Sequence, residues 1–222
     1  MQRLDAEAIH TVGIPRLLLM EHAGVALARA VTQRMSTLRQ PVLICCGTGF
    51  NGGDGLAAAR HLHAQQVPLR VLVMGTLDRL RDEPATYATI LHRLGLPLAE
   101  VTDVSSLDRC APWMADAGLI VDALLGIGAT GAVREPMAGL IDRINRSGKP
   151  ILSADLPSGL DGDTGIPQGI AVKATVTVAF GLPKQGCFLG EGPSYTGQLI
   201  VDPITMPEHL LHPALKGGLH VT

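Results

Sequence analysis

Residues Val42 to Gly55, VLICCGTGFNGGDG, constrain this chain more than any other stretch. An apolar run from Val42 to Cys46 stops at Gly47, and Gly49, Gly52, Gly53 and Gly55 follow in quick succession. From Leu56 an apolar helical pattern takes over, carried by Ala57, Ala58, Ala59, Leu62 and Ala64. Strand, glycine-rich turn and helix in this order is the local grammar of a backbone that comes very close to a ligand. Free N–H groups at such a turn and at the following helix N-terminus favour an anion, typically a phosphate. The spacing is neither G-x-G-x-x-G nor G-x-x-x-x-G-K-[ST], so neither common nucleotide fingerprint names the ligand. Asn51 and Asp54 sit inside the turn as oxygen ligands or as turn formers, and Asp54 could instead cap a helix starting at Gly55.

The same alternation of strand and helix runs along the whole chain. Residues Leu4 to His10 read as a short helix. Arg16 to Met35 form an amphipathic one, with Leu17, Met20, Gly24, Leu27, Val31 and Met35 on its apolar side and Glu21, Arg29 and Arg34 on the other. Further strands are expected at Leu69 to Met74, Leu98 to Val101, Leu119 to Leu125, Pro150 to Leu156, Thr175 to Phe180 and Gly197 to Val201. Helices are expected at Ala85 to Leu94, Ser106 to Ala115 and Pro136 to Arg146, and the final residues read as a loose tail. Strands separated by helices build parallel βαβ units, so the expected architecture is a Rossmann-like three-layer α/β/α sandwich around a mostly parallel sheet. No linker, repeat or low-complexity segment divides residues 1–222, which therefore read as one domain.

Composition narrows the function classes. A formal charge of −2 leaves no basic footprint, and 3% aromatic residues leave few platforms for stacking bases, so nucleic acid is excluded as the primary partner. Cys45, Cys46, Cys110 and Cys187 lack metal-type spacing and read as buried thiols of a reducing, cytoplasmic setting. Arg3, Asp5 and Glu7 precede any apolar run, so no signal peptide is expected. No stretch reaches the ~18 uncharged apolar residues of a membrane span.

In open α/β sheets, ligands bind beyond the carboxyl ends of the strands. Unusual polar and glycine residues fall there four times: after Cys46, Val121, Ala154 and Phe180. They assemble a candidate set of Asn51, Asp54, Asp122, Asp155, Ser158 and Lys184. Asp122 interrupts an apolar strand, where an unpaired buried carboxylate is costly, and this favours a functional role. Turn formation alone could explain Asp155 and Ser158, which flank a proline. Lys184 is either a solvated surface lysine or, beside carboxylates, a charge partner or proton donor. Asn51, Asp122 and Ser158 offer side-chain oxygens from three strand ends, a set suited to an alkali or alkaline-earth ion and not to zinc.

Several long segments, in order, resemble the NAD(P)H-hydrate epimerases, the YjeF N-terminal domain family. They are LMEHAG (19–24), GTGFNGGDG (47–55), VDALLGIG (121–128), ADLPSGLDGDTG (154–165) and FGLPKQG (180–186), and the likeness runs from about Leu4 to Pro207. The resemblance implies an isomerase of nicotinamide cofactor repair that interconverts the R and S epimers of NADHX and NADPHX, cofactors hydrated at C6. It implies substrate contacts from Phe50, Asn51, Gly52, Gly53 and Asp54, from Gly126, Ile127, Gly128, Ala129, Thr130, Gly131 and Ala132, and from Asp155. It implies a potassium ion on Asn51, Asp122 and Ser158, and it makes Asp122 and Lys184 the candidates for proton transfer. A homodimer and a separate dehydratase in the same pathway are also implied. The family usually carries Asn where Phe50 and His22 stand here, a loss of two amides that bears on substrate binding. The alternative, from the same resemblance, is a non-catalytic nucleotide-binding scaffold.

Overall fold

The apolar runs of this chain are short and rich in Val, Ile and Leu; the central ones become strands buried on both faces, while Leu98–Val101 and Gln198–Asp202, at the two edges of the sheet, stay partly exposed. The structure, a computed structural model, describes residues 2–35 and 40–215. Its strands are β1 (Val42–Cys46), β2 (Leu69–Met74), β3 (Leu98–Val101), β4 (Leu119–Ala123), β5 (Ile151–Ala154), β6 (Val176–Phe180) and β7 (Gln198–Asp202). They form one sheet in the order β3-β2-β1-β4-β5-β6-β7, and every pairing in it is parallel. The expected three-layer α/β/α sandwich is what forms, with a sheet that is wholly rather than mostly parallel. The strand order reverses at β1, which lies between β2 and β4, and a crevice opens at such a switch point beyond the carboxyl ends.

Alternation along each strand sorts the core into two layers. Val42, Ile44 and Cys46 of β1 face one side, where they meet Leu27, Leu56, Leu62 and Leu91. Leu43 and Cys45 face the other, with Leu107, Leu140, Ile141 and Ile144. The first layer holds α1 (Gln2–Glu7), α2 (Arg16–Arg34), α3 (Phe50–Ala64), α4 (Asp82–Arg93) and α9 (Glu208–Leu215). The second holds α5 (Val104–Arg109), α6 (Ala111–Asp116) and α7 (Met137–Arg146); the short α8 (Gly192–Thr196) precedes β7. Among the described residues no helix is long and apolar enough to cross a membrane.

Three local outcomes differ from the sequence reading. The helix expected from Ser106 to Ala115 is two helices: Asp103 caps α5 through a capping box with Ser106, and Pro112 opens α6 after a break at Cys110. Helix α3 starts at Phe50, not at Gly55 or Leu56, so Asn51 to Asp54 are helical and Asp54 caps nothing. The glycines that disguised this start serve close packing: a Cβ on Gly55 would lie 2.7 Å from that of Ala123 and 2.8 Å from Cys46 Sγ. Residues 208–215 form α9 where a tail was expected, and the rest of that tail, 216–222, lies outside the described residues.

Candidate functional site

Beyond the carboxyl ends of β1 and β4 lies a cavity of about 660 Å³. The turn after β1 supplies Gly47, Thr48 and Gly49, and the first turns of α3 supply Phe50, Asn51 and Asp54. The segment after β4 supplies Leu124 to Ala129, the residue after β5 is Asp155, and the segment after β6 brings Lys184. The far wall is made by Asp5 of α1, Ile9 of the π-helical turn that follows it, and Arg16 and Met20 of α2.

Helix α3 meets the cavity with its N-terminus. Gly53 N–H donates to Gly49 O at 3.1 Å and begins the helical ladder, so the preceding amides have no acceptor within the helix. Gly52 lets this end sit tight on the strand: a Cβ there would lie 1.9 Å from Gly47 O. The amide-lined end of a helix, with no acidic residue in its first turn, is a ready anion site.

Beneath the cavity lies a chain of oxygens. Asp122 on β4 is fully buried, 0% exposed, and its β5 neighbour in register is Ser153. Its carboxylate accepts from Ser153 Oγ at 2.8 Å, Ser158 N–H at 2.9 Å, Ser158 Oγ at 2.5 Å and Leu124 N–H at 3.3 Å. Burial raises the Asp122 carboxyl above the ordinary range, against the lowering effect of the Ser158 bonds that favour the charged form. Ser158 Oγ in turn accepts from Leu125 N–H at 2.8 Å, and Leu125 O accepts from Asn51 Nδ2 at 2.9 Å. Asn51, Ser158 and Asp122 thus share one hydrogen-bonded relay through Leu125. Asn51 Oδ1 is buried and has no partner among the described residues, an orphaned acceptor of the kind a native interior rarely leaves unsatisfied. An amide oxygen, a carboxylate, a hydroxyl and the Leu125 carbonyl gathered together fit a hard cation.

A second cluster faces the cavity itself. Asp155 holds a left-handed backbone, φ 66°, at the end of β5, and its side chain accepts from Phe180 N–H at 3.0 Å, tying β5 to β6. Aspartate tolerates this conformation better than most residues. The Lys184 ammonium is buried; it ion-pairs with Asp155 and donates to Phe180 O at 3.3 Å and Leu182 O at 3.2 Å, which commits its three N–H groups. Asp54 and Asp5 complete the cluster. Enclosure by protein pushes the Asp54 carboxyl well up, Asp155 adds to this, and Lys184 opposes it. Burial likewise raises Asp5, with Asp155 adding and Lys184 opposing. Both acids line the cavity, and neither has a hydrogen-bond partner among the described residues.

The expected residues divide accordingly. Phe50, Asn51, Asp54, Gly126, Ile127, Gly128, Ala129, Asp155 and Lys184 line the cavity; Thr130, Gly131 and Ala132 lie on an exposed stretch beyond it. Gly52 and Gly53 are buried in α3, and Asp122 and Ser158 lie below the floor, where neither side chain reaches the space a reactant would fill. Glu21, read as solvated, accepts from Tyr87 OH at 2.7 Å and pairs with Arg60 and His61, while His22 is exposed away from the cavity. Two site residues escaped the sequence reading. Asp5 belongs to a short helix with no motif around it, and Arg16 stood only as the first residue of an amphipathic helix.

Comparison with known proteins decides the family. Residues 16–186 match the family described as YjeF-related protein N-terminus, a span from Arg16 to just past Lys184. The chain belongs to this family. It is 41% identical over 198 residues to the bifunctional NAD(P)H-hydrate repair enzyme Nnr of Pyrobaculum aerophilum, covering 88% of this chain and 39% of that protein. It is 36% identical over 201 residues to the NAD(P)H-hydrate epimerase of Limosilactobacillus reuteri, covering 90% and 91%. The chain therefore spans about two fifths of the bifunctional relatives it matches and nearly all of the epimerase. A crystal structure of the yeast protein ynu0 superposes with a TM-score of 0.81 at 25% identity, covering 99% of this chain and 91% of that one. As a YjeF-related domain, the chain places every residue of the oxygen relay inside the matched span, and of the cavity wall only Asp5, Ala6, Ile9, His10 and Ile204 lie outside it.

Proposed function

We propose that the protein is an NAD(P)H-hydrate epimerase that interconverts the R and S forms of NADHX and NADPHX. The observation that carries this reading is the cavity itself. It joins an anion-binding helix end to a cluster of three carboxyls and one lysine, in a chain that spans nearly the whole of a relative named for this activity. The substrate's diphosphate belongs at the N-terminus of α3 and the segment Gly126 to Ala129, with the hydrated ring toward Asp155 and Asp54.

Inverting the carbon that bears the hydroxyl requires either departure and return of that group or ring opening and reclosure. Both need a proton delivered and taken back by a group within hydrogen-bond reach. Asp54 suits this task best, because its carboxyl faces the cavity, bonds to no group among the described residues and is biased toward the protonated form. Lys184 holds Asp155 in place and biases the cluster electrostatically, its own donors being committed. In this reading proton transfer moves from Asp122 and Lys184, the residues the family likeness suggested, to Asp54 with Asp155.

Potassium belongs to the same proposal. Asn51, Asp122 and Ser158 would hold it, and the unpaired Asn51 Oδ1 supports that assignment. A bound cation would supply fixed positive charge beneath the diphosphate site and offset the buried Asp122 carboxylate. The buried, unpaired thiols of all four cysteines support a reducing, cytoplasmic setting. A dehydratase acting in the same pathway is the natural companion activity. The exposed trio Ile166, Phe188 and Leu189 supports a homodimer, which a measured solution mass decides.

The test is direct. Purified protein with resolved R-NADHX and potassium chloride is sampled by chromatography that separates the epimers. Conversion toward the equilibrium mixture well above the spontaneous rate is expected, and a rate equal to background rejects the reading.

A further inference from the structure

We propose that Arg16, seated on the ring of Phe50 at the cavity wall, is an anion anchor that takes a phosphate group of the bound ligand. The inference deepens the repair-enzyme reading and relies on it only for the ligand's identity. Arg16 is the first residue of α2 and Phe50 the first of α3, so two helix N-termini meet here. Neither helix carries an acidic residue in its first turn, and a guanidinium at such an end adds to the positive field instead of relieving it. The guanidinium carbon lies 4.3 Å from the Phe50 ring centroid, close enough for a cation–π contact that orients the fork. The π contact is its one direct interaction among the described residues; it makes no hydrogen bond and no ion pair there. Asp5 stands on the same wall and feels the charge, yet no carboxylate among the described residues comes within the 4.0 Å of an ion pair with Arg16. Phe50 is 47% exposed and serves as a platform, not as core. An uncommitted planar fork beside amide-lined helix ends matches phosphate geometry, which Arg engages bidentately.

The phosphate could be the diphosphate bridge or a ribose 2′-phosphate, and the assay separates them. Calorimetric titrations with ADP-ribose, 2′-phospho-ADP-ribose and nicotinamide mononucleotide are run on wild type, Arg16→Ala and Phe50→Leu, beside KM and kcat for both hydrates. Arg16→Ala should weaken binding by roughly ten- to a hundred-fold, the worth of a charge-assisted contact. KM should rise while kcat holds, the mark of a group that binds ground and transition states alike. Equal losses for both ADP-ribose forms assign the diphosphate; a loss confined to the 2′-phosphorylated form assigns the ribose phosphate. Phe50→Leu, which keeps the apolar cover but removes the π face, should cost about two- to five-fold. Since Arg16 holds no hydrogen bond, its variant should melt as wild type does. Unchanged affinity in Arg16→Ala for all three ligands, or a wild type that binds none of them, overturns the anchor. A wild type that binds ADP-ribose tightly, loses it on Arg16→Ala, and fails to epimerise either hydrate would sink the enzyme reading alone.

Discussion

Replacing Asp122 by Asn separates structural from ionic work at the oxygen relay, because the two side chains have the same shape. With the amide oxygen in the place of Oδ2, the bonds from Ser153 Oγ at 2.8 Å and Ser158 N–H at 2.9 Å survive. The amide nitrogen then occupies the Oδ1 position. There it loses the long 3.3 Å bond from Leu124 N–H and meets Ser158 Oγ, whose hydroxyl can turn to donate to Leu125 O at 3.3 Å. One unsatisfied backbone donor costs about 1–3 kcal/mol. Removing a charge from a site that is 0% exposed returns a penalty of about the same size or larger. The net change should stay within about 1 kcal/mol, or roughly 2–4 °C in melting temperature for a chain of this length. Ser158→Ala has no such compensation: Leu125 N–H and the Asp122 carboxylate both lose a partner, and a drop of at least about 5 °C is expected. The functional loss should run in the opposite order. If the relay holds potassium, melting temperature should climb with potassium chloride at constant ionic strength, by mass action on the folded state. In Asp122→Asn the potassium concentration at which that climb sets in should move up by about 10–100-fold. Scanning calorimetry across a potassium series, with choline as the replacement ion, reads both quantities. Identical onset concentrations of potassium in wild type and Asp122→Asn would refute the ion assignment, and a collapse of the Asp122→Asn fold would refute the hydrogen-bond accounting.

Two further outcomes follow from the site's electrostatics and packing. Asp54 is held well above its ordinary range, so its contribution to stability is complete below the unfolded value near ~4 and is lost as pH rises through the folded value. Asp54→Asn should therefore stabilise the protein at pH 8 and much less at pH 4.5 by urea denaturation, while the epimerisation rate falls about 10²–10⁴-fold. A gain equal at both pH values, or undiminished turnover, would contradict it. Gly52→Ala puts a Cβ 1.9 Å from Gly47 O and should cost about 3 kcal/mol or more, whereas Gly49→Ala meets nothing within 4 Å and should stay within about 0.5 kcal/mol. Equal thermal shifts for the two variants would show that the turn relaxes freely.

The sequence by itself determined the layered α/β sandwich, because short apolar runs separated by helical patterns build parallel strands with helical crossovers, although β5 crosses to β6 without a helix. It also placed Asn51, Asp122, Asp155, Ser158 and Lys184 near one edge of the sheet, since parallel strands send all their carboxyl ends the same way. What the tertiary structure decided is which of these groups face the cavity and which lie under it. Asp122 could not be assigned a depth from its neighbours in the chain. Its place below the floor follows from the sheet register that sets it beside Ser153 and from Ser158 folding over it. Lys184 became a committed ion-pair partner because the chain after β6 brings its ammonium to the Asp155 carboxylate just past the end of β5. Asp5 and Arg16 enter the site from helices that carry no local signal of chemistry, since what makes them part of it is the packing of α1 and α2 against the turn before α3. Local patterns fix elements and their order, whereas the side chains that share a cavity are chosen by contacts between residues far apart in the chain.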